Sequence, residues 1–250
     1  MINRMGATHR TIGLAAAVVL ALAAAAMTGC VDSATLEKVF QDDGALDEAT
    51  VADGLREALR IGTERATAST SRLDGFYKNA LIRIALPEQY DGVAKTLRSF
   101  GMGSYVEDFE RSMNRAAERA SGEAIDVFWS AIKKMGIPDA FEILYGGETA
   151  ATEYFRRTTT DELTTRFHPI VTASMEAVGV YNVYNDLVAR YNQLPIQKPE
   201  AVDIDEYVTA RTIDGIFVVL EGEEKRIRED PAARTTELLK KVFGQSDNSR

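Results

Sequence analysis

Apolar positions recur every three or four residues along most of the chain after about residue 50, which is the spacing of one face of an α-helix. Thr50, followed three residues later by Asp53, has the form of a capping box, so we expect Thr50 to be the N-cap of the first helix. The apolar face of this helix consists of Val51, Leu55, Leu59, Gly62 and Ala66.

Glycine, proline and capping residues mark where the other predicted helices begin and end. Pro87 and Gly101 bound one helix, and Pro169 lies inside another, where we expect a kink. Asp203 starts a long helix, and Asp230, followed by a proline, is the expected N-cap of a last helix that runs to Gly244. The remaining predicted helices end at Ser121-Gly122, at Gly136, at Gly146-Gly147 and before Pro195.

One stretch departs from the helical period. Ile82, Ile84 and Leu86 alternate with Arg83 and Ala85, which is the pattern of an extended strand. A sheet needs a second strand, and no other stretch alternates in this way. The sequence therefore predicts an all-α fold, a single irregular multi-helix bundle over residues 47–244, with a disordered polar tail at 245–250.

The N-terminus has the layout of a secretory signal. Arg4 and Arg10 precede an apolar, alanine-rich run that extends from Thr11 to Met27. A retained membrane-spanning helix is the alternative, because the uncharged run continues from Thr11 to Val31, which is long enough to span a bilayer. Alanine contributes little transfer free energy and no basic cluster follows, so a cleaved signal is favoured.

Met27-Thr28-Gly29-Cys30 resembles a bacterial lipobox, with methionine where leucine is usual. This resemblance implies a signal peptide over residues 1–29, acyl chains such as palmitate on Cys30, and a lipidated tether over residues 30–46. Several acyl chains on one residue anchor a protein stably, so the first expected partner is the membrane. Val31 after the cysteine implies an outer-membrane lipoprotein of the cell envelope that faces the periplasm.

Composition excludes several classes of function. Without Arg4 and Arg10, 27 of the 29 basic residues remain against 38 acidic ones, so the mature chain carries a net charge of about −11. That charge makes nucleic acid an unsuitable partner. Cys30 is the only cysteine, which excludes disulfides and thiolate metal sites from the domain. Hydrophobic residues make up 45% of the chain, which supplies enough apolar surface for one core.

From about Thr50 to Gly244 the chain resembles the bacterial domain-of-unknown-function family 4197. The stretches that carry the resemblance are GLREALRIGTERA, NALIRIALPE, DFERSMNRAAE, GGETAATEYFRRTT and REDPAARTTELLKKVFG. The resemblance implies one helical domain in the bacterial envelope. It supplies no activity, cofactor or catalytic residues.

No residue set indicates a catalytic site, a metal or a cofactor. His168 lies in an apolar pattern and is expected to be packed or on the surface, and residue 165, three before it, is threonine, so the Glu-x-x-His of di-iron bundles is missing. No G-x-S-x-G or P-loop occurs. Glu64, beside Arg65, is the candidate for a carboxylate-based envelope hydrolase that acts on glycan or peptide, and an ion pair is its structural alternative.

One candidate binding face lies in GGETAATEYFRR. Thr149, Thr152 and Arg156 share one side of a predicted helix whose N-terminus follows two glycines, an arrangement that can hold a small anion. Glu148 in the first turn already complements the positive helix end, which favours structural capping with an arginine–acid pair.

Polar residues elsewhere suggest a contact surface. In DFERSMNRAAER, four charged residues lie away from the apolar face: Glu107, Arg111, Arg115 and Glu118. Asn114 lies at the boundary of that face. The charged residues form either a face exposed to solvent or a contact with another helix or a partner protein. We expect a non-enzymatic module that binds a partner protein or a small ligand in an interhelical cleft. The candidate contacts are Thr149, Thr152, Arg156, Arg65, Asn114, Arg115 and Asn185.

Overall fold

The computed structural model describes residues 47–177, 181–182, 184, 202–234, 236–238, 240 and 242. All regular structure in these residues is helical, and none of them forms a strand, so the predicted all-α class is confirmed. Residues Asp47–Arg250 cluster into one compact unit. The proposed signal, Cys30 and the tether lie outside the described residues.

Up to Ala177 the helices follow one another with short connections, apart from one long loop after the first helix. Their bounds are α1 (Glu48–Ser71), α2 (Asp91–Ser99), α3 (Gly103–Ser121), α4 (Ala124–Lys134), α5 (Ile137–Tyr145), α6 (Ala150–Ala177) and α7 (Ile204–Glu229), with 3-10 turns at Glu88–Tyr90 and Pro231–Ala233. None of these helices is both long enough and apolar enough to cross a membrane.

The core forms where α7 packs against α1, α3 and α6. Phe128 of α4 packs into this core, with its ring centroid 5.2 Å from that of Phe155 and 6.2 Å from that of Phe217. All three rings are fully buried. Edge-on aromatic contacts of this kind add stabilisation beyond the area they bury, so these rings fix how α4, α6 and α7 meet.

The start of α1 corrects the prediction for Thr50. Asp47 is the N-cap, its carboxylate accepts the backbone N–H of Thr50 at 2.9 Å, and the Thr50 hydroxyl donates to the same carboxylate at 2.6 Å. The sequence offers two caps three residues apart, and the carboxylate of Asp47 also complements the positive end of the helix. The predicted apolar face of α1 is buried at all five positions.

Most of the other predicted boundaries are confirmed where the structure describes them. Gly101 ends α2 with a φ of 75°, and Asp203 caps α7. The prediction that a last helix begins at Asp230 is wrong: Asp230 caps only the 3-10 turn Pro231–Ala233, and Arg234 is not helical. Pro169 lies inside α6, which continues through it to Ala177. The predicted helix before Pro195 and the tail at 245–250 lie outside the described residues.

The long connection between α1 and the turn before α2 consists of residues 72–87, hereafter the loop. Ile82 and Ile84 are buried while Arg83 and Ala85 are exposed, so the alternation predicted from the sequence is confirmed. The segment nevertheless pairs with no strand among the described residues. Its backbone groups need other partners, and these partners define the candidate site.

Candidate functional site

A polar stripe on α3 holds the loop in place. It consists of Glu110, Asn114 and Glu118, which recur every four residues and are all at least nine-tenths buried. Buried polar groups are costly unless they are hydrogen-bonded. Each side chain of the stripe meets this requirement by bonding to the loop.

Asn114 takes the place of a neighbouring strand. Its side-chain oxygen accepts the backbone N–H of Ile84 at 2.9 Å, and its side-chain nitrogen donates to the Ile84 carbonyl at 2.7 Å and to the Glu110 carbonyl at 2.7 Å. Both backbone groups of one extended residue are thus satisfied by a single amide, as they would be in an antiparallel ladder. This explains how one strand-like segment persists in an all-α fold.

Glu118 and Arg115 fix the first half of the loop. The Glu118 carboxylate accepts the backbone N–H groups of Phe76 at 3.1 Å and Tyr77 at 3.2 Å. Arg115 bridges Glu118 at 2.5 Å and Asp74 at 2.6 Å. Arg115 is therefore committed to holding the loop.

Asp74 adopts a backbone conformation that residues other than glycine rarely adopt. Its φ of 66° lies in the left-handed region. This region costs free energy for a residue other than glycine and is found most often at sites fixed by their surroundings. Hydrogen bonds from Lys78 and Arg115 hold the pKa of Asp74 below its ordinary value. The charged clamp thus stabilises a strained turn of the loop.

Of the two alternatives for this stretch of α3, a solvated charged face holds for Arg111 but is wrong for Glu118. Arg111 is exposed and pairs with Asp108 at 2.7 Å, whereas Glu118 is only 4% exposed. The loop covers the side of α3 that carries the stripe, and a helical period alone does not reveal a loop from another part of the chain. Arg83, which pairs with Glu110 at 2.8 Å, lies 4.5 Å from the centre of the Tyr77 ring on the same covered side.

A groove lies on the opposite side of the extended segment, between residues 81–86 and α7. Its volume is about 320 Å³. Tyr207 bounds it by donating its hydroxyl to the Ala85 carbonyl at 3.0 Å. Gly215 lets the loop come close to α7, because an added Cβ would lie 2.5 Å from the Phe76 ring. The other lining residues on α7 and beyond the loop are Arg211, Asp214, Val218 and Glu88.

Apart from Arg83 of the loop, two arginines near the groove differ in their partners. Arg156 pairs with Asp214 at 3.0 Å and lies 4.5 Å over the Phe217 ring, so it ties α6 to α7. Arg211 is exposed and lies 5.4 Å from the Tyr207 ring, and it has no carboxylate partner among the described residues. Arg211 was not singled out by the sequence, since a lone arginine on a long helix carries no local signal.

The N-terminus of α6 already holds a carboxylate of the chain itself. Glu224 on α7 accepts the backbone N–H groups of Ala151 and Thr152, both at 2.9 Å, and the Thr152 hydroxyl at 2.8 Å. Arg228 pairs with Glu224 at 2.9 Å and donates to the Ile143 carbonyl at 2.8 Å. The pair therefore joins the positive end of α6 to the negative end of α5.

The candidate face of Thr149, Thr152 and Arg156 is consequently divided among three partners. Thr149 donates to Glu153 at 3.1 Å, Thr152 bonds Glu224, and Arg156 bonds Asp214. These three side chains do not converge on one point. The anion that the helix N-terminus attracts is the Glu224 carboxylate.

The other residues singled out from the sequence lie apart from one another. Arg65 is 3.7 Å from Glu223, and Glu64 pairs with Arg60 at 2.6 Å on the exposed side of α1. His168 is exposed on α6. Asn185 lies outside the described residues. In the part of the chain that the structure describes, no three His, Cys, Asp or Glu side chains are grouped to hold a metal ion.

Tyr184, next to Asn185 in the sequence, is held at a partly buried position. Its hydroxyl lies 2.7 Å from that of Tyr90, and its ring stacks on Phe109 at a centroid distance of 6.0 Å. Burial, followed by the hydrogen bond with Tyr90, raises the pKa of Tyr184 above its ordinary value. The phenol thus stays protonated, and Tyr184 contacts the turn Glu88–Tyr90 and α3.

Comparison with known proteins gives one result. No curated protein and no solved structure matches the chain significantly. A family model described as DUF4197, protein of unknown function, matches residues 45–244, which include every residue of the stripe, the loop and the groove. The chain therefore belongs to the DUF4197 family of proteins of unknown function.

Proposed function

We propose that this protein is a lipid-anchored protein of the bacterial cell envelope whose helical domain binds a partner and catalyses no reaction. One observation carries the proposal: the groove between residues 81–86 and α7 is open and holds a cation, Arg211, that has no carboxylate partner among the described residues. The buried polar groups at the stripe and at Glu224 are, in contrast, committed to holding the loop and the helices in place. A groove of about 320 Å³ is within the usual size of binding clefts.

The lipid anchor is supported by the N-terminal sequence. Arg4 and Arg10, the apolar run and the lipobox-like Met27-Thr28-Gly29-Cys30 follow one another in the order that lipoprotein processing requires. A mature chain of net charge about −11 is repelled by anionic lipid, so an acyl anchor on Cys30 supplies the membrane attachment. Val31 favours delivery to the outer membrane, with the domain in the periplasm.

Metabolic labelling with an alkyne fatty acid tests the anchor. We expect the wild-type chain to incorporate the label and the Cys30→Ser variant to lose it completely, with Met27→Leu as a control that keeps it. Equal labelling of the wild type and Cys30→Ser, or no labelling of the wild type, would contradict the anchor.

The binding role is supported by how the groove is built. The loop that forms one wall donates buried hydrogen bonds to the side chains of Asn114 and Glu118, and it includes the strained Asp74. Strained, tightly supported segments occur where a surface must keep a fixed shape. The stripe therefore presents residues 81–86 to the groove as a rigid wall.

Site-specific photo-crosslinking in bacterial cells tests binding at the groove. A photoreactive residue replaces Val218, which is 41% exposed in the groove, or Thr165 as the matched control. Thr165 is exposed on α6 nine residues after Arg156, and nine residues are two and a half helical turns, so it lies on the opposite side of α6. We expect a discrete adduct from position 218 and none from position 165. No adduct at 218, or equal adducts at both positions, would contradict the proposal.

A further inference from the structure

We propose that the groove receives an extended peptide segment of the partner protein, which pairs with the free backbone edge of Arg83 and Ala85 and places a carboxylate on Arg211. The inference rests on the proposed binding function and specifies its ligand. It follows from the direction of the backbone groups, from their spacing and from the charges that line the groove.

The direction of the backbone groups comes from the bonds of their neighbours. In an extended chain, the N–H and C=O groups of successive residues point to opposite sides. Both groups of Ile84 point to α3, where Asn114 binds them. The Arg83 carbonyl and the Ala85 N–H, which lie across planar peptide bonds from these two groups, therefore point away from α3. The bond from Tyr207 on α7 to the Ala85 carbonyl shows that this side faces α7.

Two of these groups are free. The Arg83 N–H is bound by the Asn79 carbonyl at 2.8 Å, and the Ala85 carbonyl is bound by Tyr207. Within the described part of the chain, the Arg83 carbonyl and the Ala85 N–H have no hydrogen-bond partner. An unpaired edge of this kind is a template for an added strand, which is a common mode of peptide recognition.

The spacing of the two free groups predicts the direction of the peptide. In a pair of parallel strands, a residue on one strand faces a residue on the other but bonds to the two neighbours of that residue. Its N–H donates to the carbonyl of the preceding neighbour, and its carbonyl accepts the N–H of the following neighbour. The Arg83 carbonyl and the Ala85 N–H flank Ile84 in this way. One peptide residue that faces Ile84 therefore satisfies both groups, with the peptide parallel to the loop.

The lining residues predict the side chains of the peptide. Leu81 is 83% exposed and Val218 is 41% exposed. Aliphatic side chains of a peptide therefore gain contact at that end of the groove. Asp214 is paired with Arg156, so among the described residues the groove keeps Arg211 as a cation without a carboxylate partner and Glu88, beyond Pro87, as an acid without a basic partner. Arginine binds carboxylate strongly, so the segment carries an aspartate or a glutamate at Arg211.

The test uses synthetic probes with the full chain in detergent micelles. The probes are N-acetylated octapeptides of alternating threonine and valine, with one glutamate placed at each position in turn, and the same series with lysine. We expect the best glutamate peptide to bind about tenfold more tightly than its lysine counterpart, since attraction to Arg211 becomes repulsion. When this peptide binds, we expect amide hydrogen exchange to slow over residues 81–87, which include the Ala85 amide.

A charge reversal supplies the decisive control. In Arg211→Glu we expect the preference to invert, so that the lysine peptide binds more tightly. Arg157 is the matched control, because it is exposed, lies 5.8 Å from the Tyr154 ring and has no carboxylate partner among the described residues. Arg157→Glu leaves the glutamate preference unchanged. Binding that Arg211→Glu does not alter, or binding without slower exchange at residues 81–87, overturns the inference.

The outcomes separate this inference from the proposed function. If no probe binds while position 218 still crosslinks a partner in cells, the peptide inference is wrong and the binding function stands. If neither probes nor a cellular partner engage the groove, both are wrong.

Discussion

Replacing Asn114 by alanine tests most directly how the wall of the groove is held. Asn114 is fully buried and its amide makes three hydrogen bonds, two of them to the backbone of Ile84. Alanine removes all three bonds and leaves the Ile84 N–H and C=O groups buried without partners. No neighbouring strand among the described residues can replace them.

The expected magnitude follows from the number of groups affected. Each lost hydrogen bond contributes about 1 kcal/mol net, and each stranded buried group costs about 1–3 kcal/mol. These two estimates overlap, because the penalty at Ile84 is part of what its bonds with Asn114 avoid. We therefore expect Asn114→Ala to lower the free energy of unfolding by about 3–4 kcal/mol.

Urea unfolding followed by far-UV circular dichroism measures this change, and hydrogen exchange locates it. We expect the Ile84 amide to exchange much faster in the variant, ahead of the amides of α3. Asn114→Asp keeps an acceptor for the Ile84 N–H but places a carboxylate against the Ile84 carbonyl, so it destabilises at least as much.

The matched control is Ser112→Ala on the exposed side of α3, where the hydroxyl bonds only the Asp108 carbonyl. It should change the free energy of unfolding by about 0.5 kcal/mol or less. A loss below about 1 kcal/mol for Asn114→Ala, or a loss equal to that of the control, would refute the reasoning that this amide replaces a strand.

Three further predictions concern the other contacts. Glu224→Gln leaves the largely buried guanidinium of Arg228 without its counter-charge and should cost about 3 kcal/mol in urea unfolding. Glu221→Gln, which breaks an exposed pair with Lys225, should have a much smaller effect, and equal losses would contradict the buried role. Gly215→Ala should destabilise by about 1–3 kcal/mol in thermal melts through overlap with a buried ring. Gly222→Ala on the same helix should stabilise by up to about 1 kcal/mol, and the opposite order would be inconsistent with the close approach. Because the pKa of Asp74 is lower in the folded chain, its carboxylate stabilises the fold above about pH 4 and loses this effect as the pH falls. Asp74→Asn should therefore show a shallower loss of stability on acidification, and identical acid profiles would argue against the clamp.

Local rules predicted most of the helices. The apolar face of α1 and the cap at Asp203 depend on residues within one or two turns of each other, so they can be read from spacing alone. The cap of α1 was misplaced because Asp47 and Thr50 both suit the position. The choice between two neighbouring caps is a small free-energy difference that spacing does not reveal.

The polar contacts were harder to predict because their partners are distant in the sequence. Asn114 bonds a residue 30 positions away, and Glu224 bonds residues 72 and 73 positions away. A buried polar residue at the edge of an apolar face looks the same in the sequence whether a loop or water covers it. Asn114 and Arg115 were singled out as contact residues, but their contact is with the chain's own loop.

The groove carried almost no signal in the sequence. Its most specific feature is a backbone edge, the Arg83 carbonyl and the Ala85 N–H, that has no partner among the described residues, and every residue except proline has the same backbone groups. The alternation in NALIRIALPE indicated an extended segment, and the absence of a second strand left its edges without assigned partners. That unassigned edge was the available clue to a binding surface.

A native mass spectrum of the full-length protein, extracted gently from bacterial membranes, tests the central claim most directly. The account predicts a chain that begins at Cys30, carries the mass of its acyl chains and retains a partner protein in a fraction of the molecules. A chain that keeps residues 1–29, or one that carries neither acyl mass nor a bound protein, would contradict it.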